Sequence, residues 1–71
     1  MIPINLMNAG ETYAIKRIAG GDKATHHLQE LGFVVGEEVL IVLVSGDGNV
    51  IVNVKGARVA LDASLASKIF V

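Results

Sequence analysis

The chain has 71 residues, 52% of them hydrophobic and 18% charged, with no cysteine, a formal net charge of −1 and a mean hydropathy of +0.58. That length holds one domain, residues 1–71, and a chain so short buries only about 60% of the surface its unfolded form exposes. The composition excludes disulfides and thiolate metal sites, argues against a nucleic-acid partner because there is no basic excess, and offers no run of about 18 apolar residues to span a membrane.

Asn8, Ala9 and Gly10 read as the first turn. Residues 11–18 then alternate as a strand, with Tyr13 and Ile15 on one face and Lys16 on the other. Ile18 falls out of that alternation, which predicts a bulge or strand end near Arg17, and Gly20 and Gly21 break the element. Residues 22–33 read as a helix and its stop signal. Asp22 is the expected N-cap, and Ala24, His27, Leu28 and Leu31 recur on one face, which places His27 at the border of the core. Gly32 suits the left-handed position after the helix, and Phe33 is then placed to pack back on Leu28.

Residues 37–44 form a strand that is apolar on both faces: Val39, Ile41 and Leu43 point one way, Leu40, Val42 and Val44 the other. Residues 45–49 have hairpin-loop composition. Residues 50–54 follow as a strand with Val50, Val52 and Val54 inward and Ile51 and Asn53 opposite. Lys55 and Gly56 make a tight reversal into a strand at 57–61, Asp62 caps one helical turn at 63–67, and residues 68–71 close the chain as a last strand. Five short strands with turn punctuation are too few for a sandwich and point to a mainly β fold, a small closed barrel with a helical insertion after the first strand. Closure also removes the unpaired edges that apolar strands present to one another.

No catalytic constellation is present, and the chain is not expected to be an enzyme. Glu37 and Glu38 are consecutive in a strand and face opposite ways, so they cannot work as an acid/base pair. Ser45 with Asp47 and Ser64 with Asp62 have no histidine in local reach and no nucleophile-elbow pattern, and so small a barrel has little room for a substrate pocket. His26 and His27 project about 100° apart on a helix and cannot grip one ion together. His26 and Glu30, at i and i+4, are candidate ligands for an adventitious divalent metal, but two donors fall short of the three or four a stable site uses. No cofactor is expected. The remaining signal is surplus apolar surface: Leu40, Val42, Val44 and Ile51, with Phe70, fall opposite the expected core. They form the candidate interface for a partner protein or a second copy. The helix is expected to cover part of it. Without a basic block followed by an apolar one at the N-terminus, no secretory signal is expected, and a cytoplasmic location is.

The elements Leu28-x-x-Leu31-Gly32-Phe33, Gly36 before the strand, Val50-x-Val52, Val54 with Gly56, Ala60-Leu61, and Ala66-x-x-Ile69-x-Val71 resemble, in this order and spacing, the FeoA family of bacterial ferrous-iron uptake. The resemblance runs from about Leu6 to Val71. It implies an SH3-like barrel with a helical insertion after the first strand, no catalysis, and an accessory role beside the FeoB membrane permease and its cytosolic GTP-binding domain, with recruitment to the inner face of the membrane. The same module resembles the C-terminal domain of DtxR-like metal-dependent repressors, which implies a metal-responsive regulatory module as the alternative. Two departures stand out. His26 and His27 occupy positions where family members often carry arginines, and Val35 stands where they often have proline.

Overall fold

In the computed structural model, which describes residues 1–71, the first strand is bent rather than bulged. It divides into β1 (Thr12–Ala14) and β2 (Arg17–Ile18), with the break at Ile15 and Lys16, next to the expected strand end near Arg17. The reason lies in the backbone partners. The Ile15 N–H donates to Glu37 O at 2.9 Å and the Gly36 N–H donates to Ile15 O at 2.8 Å, whereas the Lys16 N–H donates to Phe70 O at 2.8 Å. One continuous segment therefore leaves one sheet and enters another within a single peptide unit, and the buried Ile15 side chain occupies the corner. The two residues between β1 and β2 are the cost of serving both sheets, and the strand count rises from five to six.

After β2 come α1 (Asp22–Glu30), β3 (Glu38–Val44), β4 (Val50–Val54), β5 (Ala57–Leu61), α2 (Ala63–Ala66) and β6 (Ile69–Phe70); a 3-10 turn over Ile4–Leu6 precedes β1. The larger sheet is antiparallel with order β1-β3-β4-β5, and β2 pairs with β6. The N-terminal segment joins the smaller sheet through a Pro3–Phe70 bridge and reciprocal hydrogen bonds between Ile2 and Val71 at 3.0 and 2.9 Å. The fold is SH3-like, but the two sheets are not hydrogen-bonded into a closed cylinder: β5 has no strand on its outer side, because the chain that follows it coils into α2. Twelve buried residues, all apolar, fill the space between the sheets, among them Ile4, Ile15, Leu28, Phe33, Ile41 and Ile69.

The stop of α1 forms as the residues predict. The Gly32 N–H donates to Gln29 O at 3.0 Å and the Phe33 N–H to Leu28 O at 2.9 Å, the reciprocal pair of a Schellman ending, with Gly32 at φ 105° and both Phe33 and Leu28 buried. The start differs. Gly21 is the N-cap and Asp22 the first helical residue, with no side-chain capping bond. Asp22 still places negative charge in the first turn, where the helix dipole favours it. At the other helix Asp62 is the cap, its Oδ1 accepting from Leu65 N–H at 2.9 Å. The β4–β5 reversal puts Lys55 at φ 49° and Gly56 at φ 76°, the two left-handed residues of a type I′ turn.

β3 departs from simple alternation. Its register with β4 shifts between Ile41 and Leu43: Ile41 pairs with Val52, but Leu43 pairs with Ile51 and Val44 with Val50. Val42 is thus the extra residue of a β-bulge, and every side chain beyond it changes face. Leu43, expected inside, is 52% exposed, while Val44, expected outside, faces the buried Val50 and packs on the core.

Gly32→Ala is expected to cost about 1–2 kcal/mol in urea unfolding, because φ is positive there although an added Cβ meets only ordinary contacts, Lys55 Cδ being nearest at 3.6 Å. Gly46→Ala, at a residue with open space around it and no positive φ, is neutral. For the bulge, Val44→Ala costs more than Leu43→Ala despite the smaller side chain. The expected values are about 1 kcal/mol against less than about 0.5 kcal/mol, and the reverse order would show that the face change is misassigned.

Candidate functional site

Beyond the bulge, the outer face of the larger sheet carries an apolar row that crosses three strands. Leu43 stands opposite Ile51, and Ile51 opposite Ala60. Leu40 lies on the same face one pair along, opposite Asn53, which in turn faces Arg58; the Arg58 Nε donates to Asn53 Oδ1 at 3.2 Å. Leu40, Val42 and Ile51 are half-buried yet are not packed on the core. The shielding comes from neighbours on the sheet, since α1 makes no extensive contact with β3 and does not cover this face. The outer apolar set is therefore Leu40, Val42, Leu43 and Ile51, with Leu43 taking the place expected for Val44. Phe70 lies in the other sheet, half-buried beneath the Arg17 guanidinium at 5.7 Å from its ring centre.

Where this row meets the β3–β4 loop, it opens into a groove of 420 Å³. That is more room than the chain's size suggests, and it exists because the loop of residues 45–49 stands up beside the sheet. Leu43, Ile51 and Ala60 form its floor; Ser45, Asp47, Asn49 and Asp62 form its rim. Most of the rim is held in place. The Asn49 N–H donates to Ser45 Oγ at 3.2 Å, Asn49 Oδ1 accepts from the Ala63 N–H at 2.9 Å, and Asn5 Nδ2 donates to Gly48 O at 3.3 Å. The loop is thus tied both to the start of α2 and to the N-terminal 3-10 turn. Asp47 is exposed and outside this network. Neither Asp47 nor Asp62 belongs to an ion pair; the two in the molecule are His26–Glu30 and Lys55–Glu37.

The candidate metal ligands are on the opposite kind of surface. His26 Nε2 lies 3.7 Å from Glu30 Oε1, both well exposed, and no group of three or more His, Asp or Glu side chains converges anywhere on a point that could hold an ion. His27 is exposed rather than at the core border. It stands about 100° around the helix from Leu28, outside the narrow strip made by Ala24, Thr25, Leu28 and Leu31. Near the first turn, the Tyr13 hydroxyl donates to Glu11 Oε2 at 2.6 Å and accepts from the Asn8 N–H at 3.4 Å. The bond to the Glu11 carboxylate, with a smaller contribution from desolvation, holds the Tyr13 pKa above its ordinary 10.0.

Changing His26 and His27 together to Gln is expected to leave the urea midpoint unchanged and to remove no tight, stoichiometric Zn²⁺ binding in calorimetric titration, because two exposed donors cannot assemble a closed site. Ultraviolet titration of Tyr13 is expected to give a midpoint above 10, and Glu11→Gln to lower it. The raised pKa adds stability that is fully present below the unfolded value of about 10 and is lost as pH rises through the folded one, so neutral pH is unaffected.

The family model of the FeoA domain matches residues 2–71. A protein of Methanocaldococcus jannaschii whose name assigns it to Fe(2+) transport, as transport protein A, is 34% identical over 71 residues, covering 100% of this chain and 85% of that protein. The crystal structure of an iron uptake regulatory protein, FeoA, superposes with a TM-score of 0.89 at 26% identity, over 96% of this chain and 91% of that one. Stenotrophomonas maltophilia FeoA complexed with zinc, described as a prokaryotic SH3 domain protein, gives 0.82 at 27% identity over 99% and 88%. A manganese-dependent transcriptional repressor shares the fold, with a TM-score of 0.85 at 17% identity; the match covers 94% of this chain and 38% of the repressor.

Proposed function

The chain belongs to the FeoA domain family, a family of Fe(2+) transport, and on that footing we propose that it is a non-catalytic accessory protein acting by contact with a FeoB-type permease or its cytosolic GTP-binding domain. The observation that carries this reading is the outer apolar row of β3, β4 and β5. Leu43 is 52% exposed at its β3 end, and α1 makes no extensive contact with β3, β4 or β5. Exposed aliphatic side chains gathered on a rigid sheet next to a groove are what a protein interface uses at its centre. Beside this surface Ser45 Oγ accepts from the Asn49 N–H and Asp62 Oδ1 from the Leu65 N–H, so both serve the loop and the helix cap.

In this reading the chain needs no resident metal, and Fe(2+) is the cargo of the system it serves. No helix of the protein is long and apolar enough to cross a membrane, and residence at the membrane, in the same reading, comes through the permease. The repressor likeness supports the second reading, a metal-responsive module, by fold alone. Tight metal binding that changes the protein's association would favour it.

Titration of the purified chain against the GTP-binding domain of the permease from the same organism tests the proposal. Leu43→Lys and Ile51→Lys each weaken binding by about tenfold or more, because a charge is well solvated in water and costly in a dry interface, while unfolding midpoints stay close to the parent's. Undiminished affinity in both variants would remove this face as the interface.

A further inference from the structure

We propose that the groove beside the β3–β4 loop takes a basic side chain of a partner protein, an arginine or lysine flanked by aliphatic residues, as the specificity-setting contact of the interface. The inference rests on the reading that the chain works by protein contact, and adds what the partner must present. Three features of the groove select this occupant. Its floor is aliphatic, Leu43, Ile51 and Ala60 in register across three strands, and suits the methylene stem of a long side chain. Its rim carries two carboxylates, Asp47 and Asp62, and none of its lining residues is basic. Neither carboxylate is neutralised within the chain, since both ion pairs of the protein lie elsewhere. Asp62 spends Oδ1 on the Leu65 amide and keeps its charge and its second oxygen; Asp47 spends neither.

The geometry also argues against a wholly apolar or an acidic occupant. An apolar segment filling the groove would press against the two carboxylates and strip water from them with nothing returned. An acidic one would meet like charge. A long cationic side chain satisfies both halves at once, its stem on the sheet and its head at the rim. Because loop 45–49 is tied to α2 and to the 3-10 turn through Asn49 and Asn5, the loop backbone that carries Asp47 is held in place before a partner arrives, and binding orders little beyond the Asp47 side chain.

The test uses the full chain, nitrogen-15 labelled, and two peptides: acetyl-Leu-Arg-Leu-amide and the same peptide with citrulline, which keeps the shape of arginine without its charge. The arginine peptide is expected to shift the amide resonances of Leu43, Ile51 and Ala60 and to bind less well as salt is added. The citrulline peptide should bind several-fold more weakly. Asp47→Asn and Asp62→Asn each weaken the arginine peptide by about threefold and together by about tenfold. Asn is as good an N-cap as Asp, so Asp62→Asn keeps α2 and the fold. Equal binding of the two peptides, shifts confined to other surfaces, or the same groove resonances moving on simple dilution of the protein, which would make a second copy the occupant, would each overturn the proposal. The permease domain separates this from the reading beneath it. If Leu43→Lys weakens that domain's binding while the two Asp→Asn variants leave it unchanged, the interface stands and the basic contact falls. If the domain does not bind at all, the reading beneath falls, and the peptides still decide what the groove selects.

Discussion

The corner at Ile15 and Lys16 is the constraint on which the other parts of the fold rest. A core of twelve buried residues is too thin to be enclosed by one flat sheet. Two sheets enclose it, and one segment of the chain belongs to both. Here that segment is one peptide unit long: the Ile15 amide looks to Glu37 in the larger sheet and the Lys16 amide to Phe70 in the smaller. The bent strand sets the two sheets facing each other, and Ile15 fills the angle between them. The other closures follow. Ile4 plugs the interior from the N-terminal turn, Phe33 is drawn in by the helix stop, and Ile69 seals the second sheet.

The second determinant is the bulge at Val42. Without it, β3 would continue with Leu43 inside and Val44 outside. With it, the larger residue goes out and the smaller comes in, opposite Val50. Bulges commonly re-aim side chains next to functional surfaces. This one moves a leucine onto the outer face, where it meets Ile51 and Ala60. It also does so at the end of β3 nearest the loop whose aspartate and asparagine contribute to the groove rim. An apolar patch and a polar edge are thereby joined in one place.

The FeoA family is one of Fe(2+) transport, and in this member no three His, Asp or Glu side chains converge where they could hold a metal ion. The sheet that bears Leu43 and Ile51 has the order β1-β3-β4-β5, so the outer apolar row is held by strand pairing rather than by loops. The exposed histidines of α1 lie on a separate element from that face.

Elements whose cause is local were legible in the amino-acid sequence alone. β4 and β5 lie at the predicted residues, and α2 begins at the cap assigned to it, because alternation, a two-residue turn with left-handed glycine, and an aspartate N-cap act within a few residues of chain. The stop of α1 at Gly32 and the packing of Phe33 on Leu28 could be read for the same reason. So could the family, whose resemblance combines this stop and the turn glycines with apolar strand positions from Val50 to Val71. Long-range pairing settled what local pattern leaves open. Alternation in an all-apolar strand says nothing of where a bulge falls, since Val42, Leu43 and Val44 are equally acceptable on either face; only pairing with β4 chose Leu43 for the surface and Val44 for the core. His27 sits where a 3.6-residue period alone would bring it to the core edge, and the narrowness of the buried strip left it in water. Closure failed because α2, not another strand, follows β5. The groove was unreadable because Asp47 and Asp62 are separated in sequence and meet one site only when the β3–β4 loop and the end of β5 stand side by side.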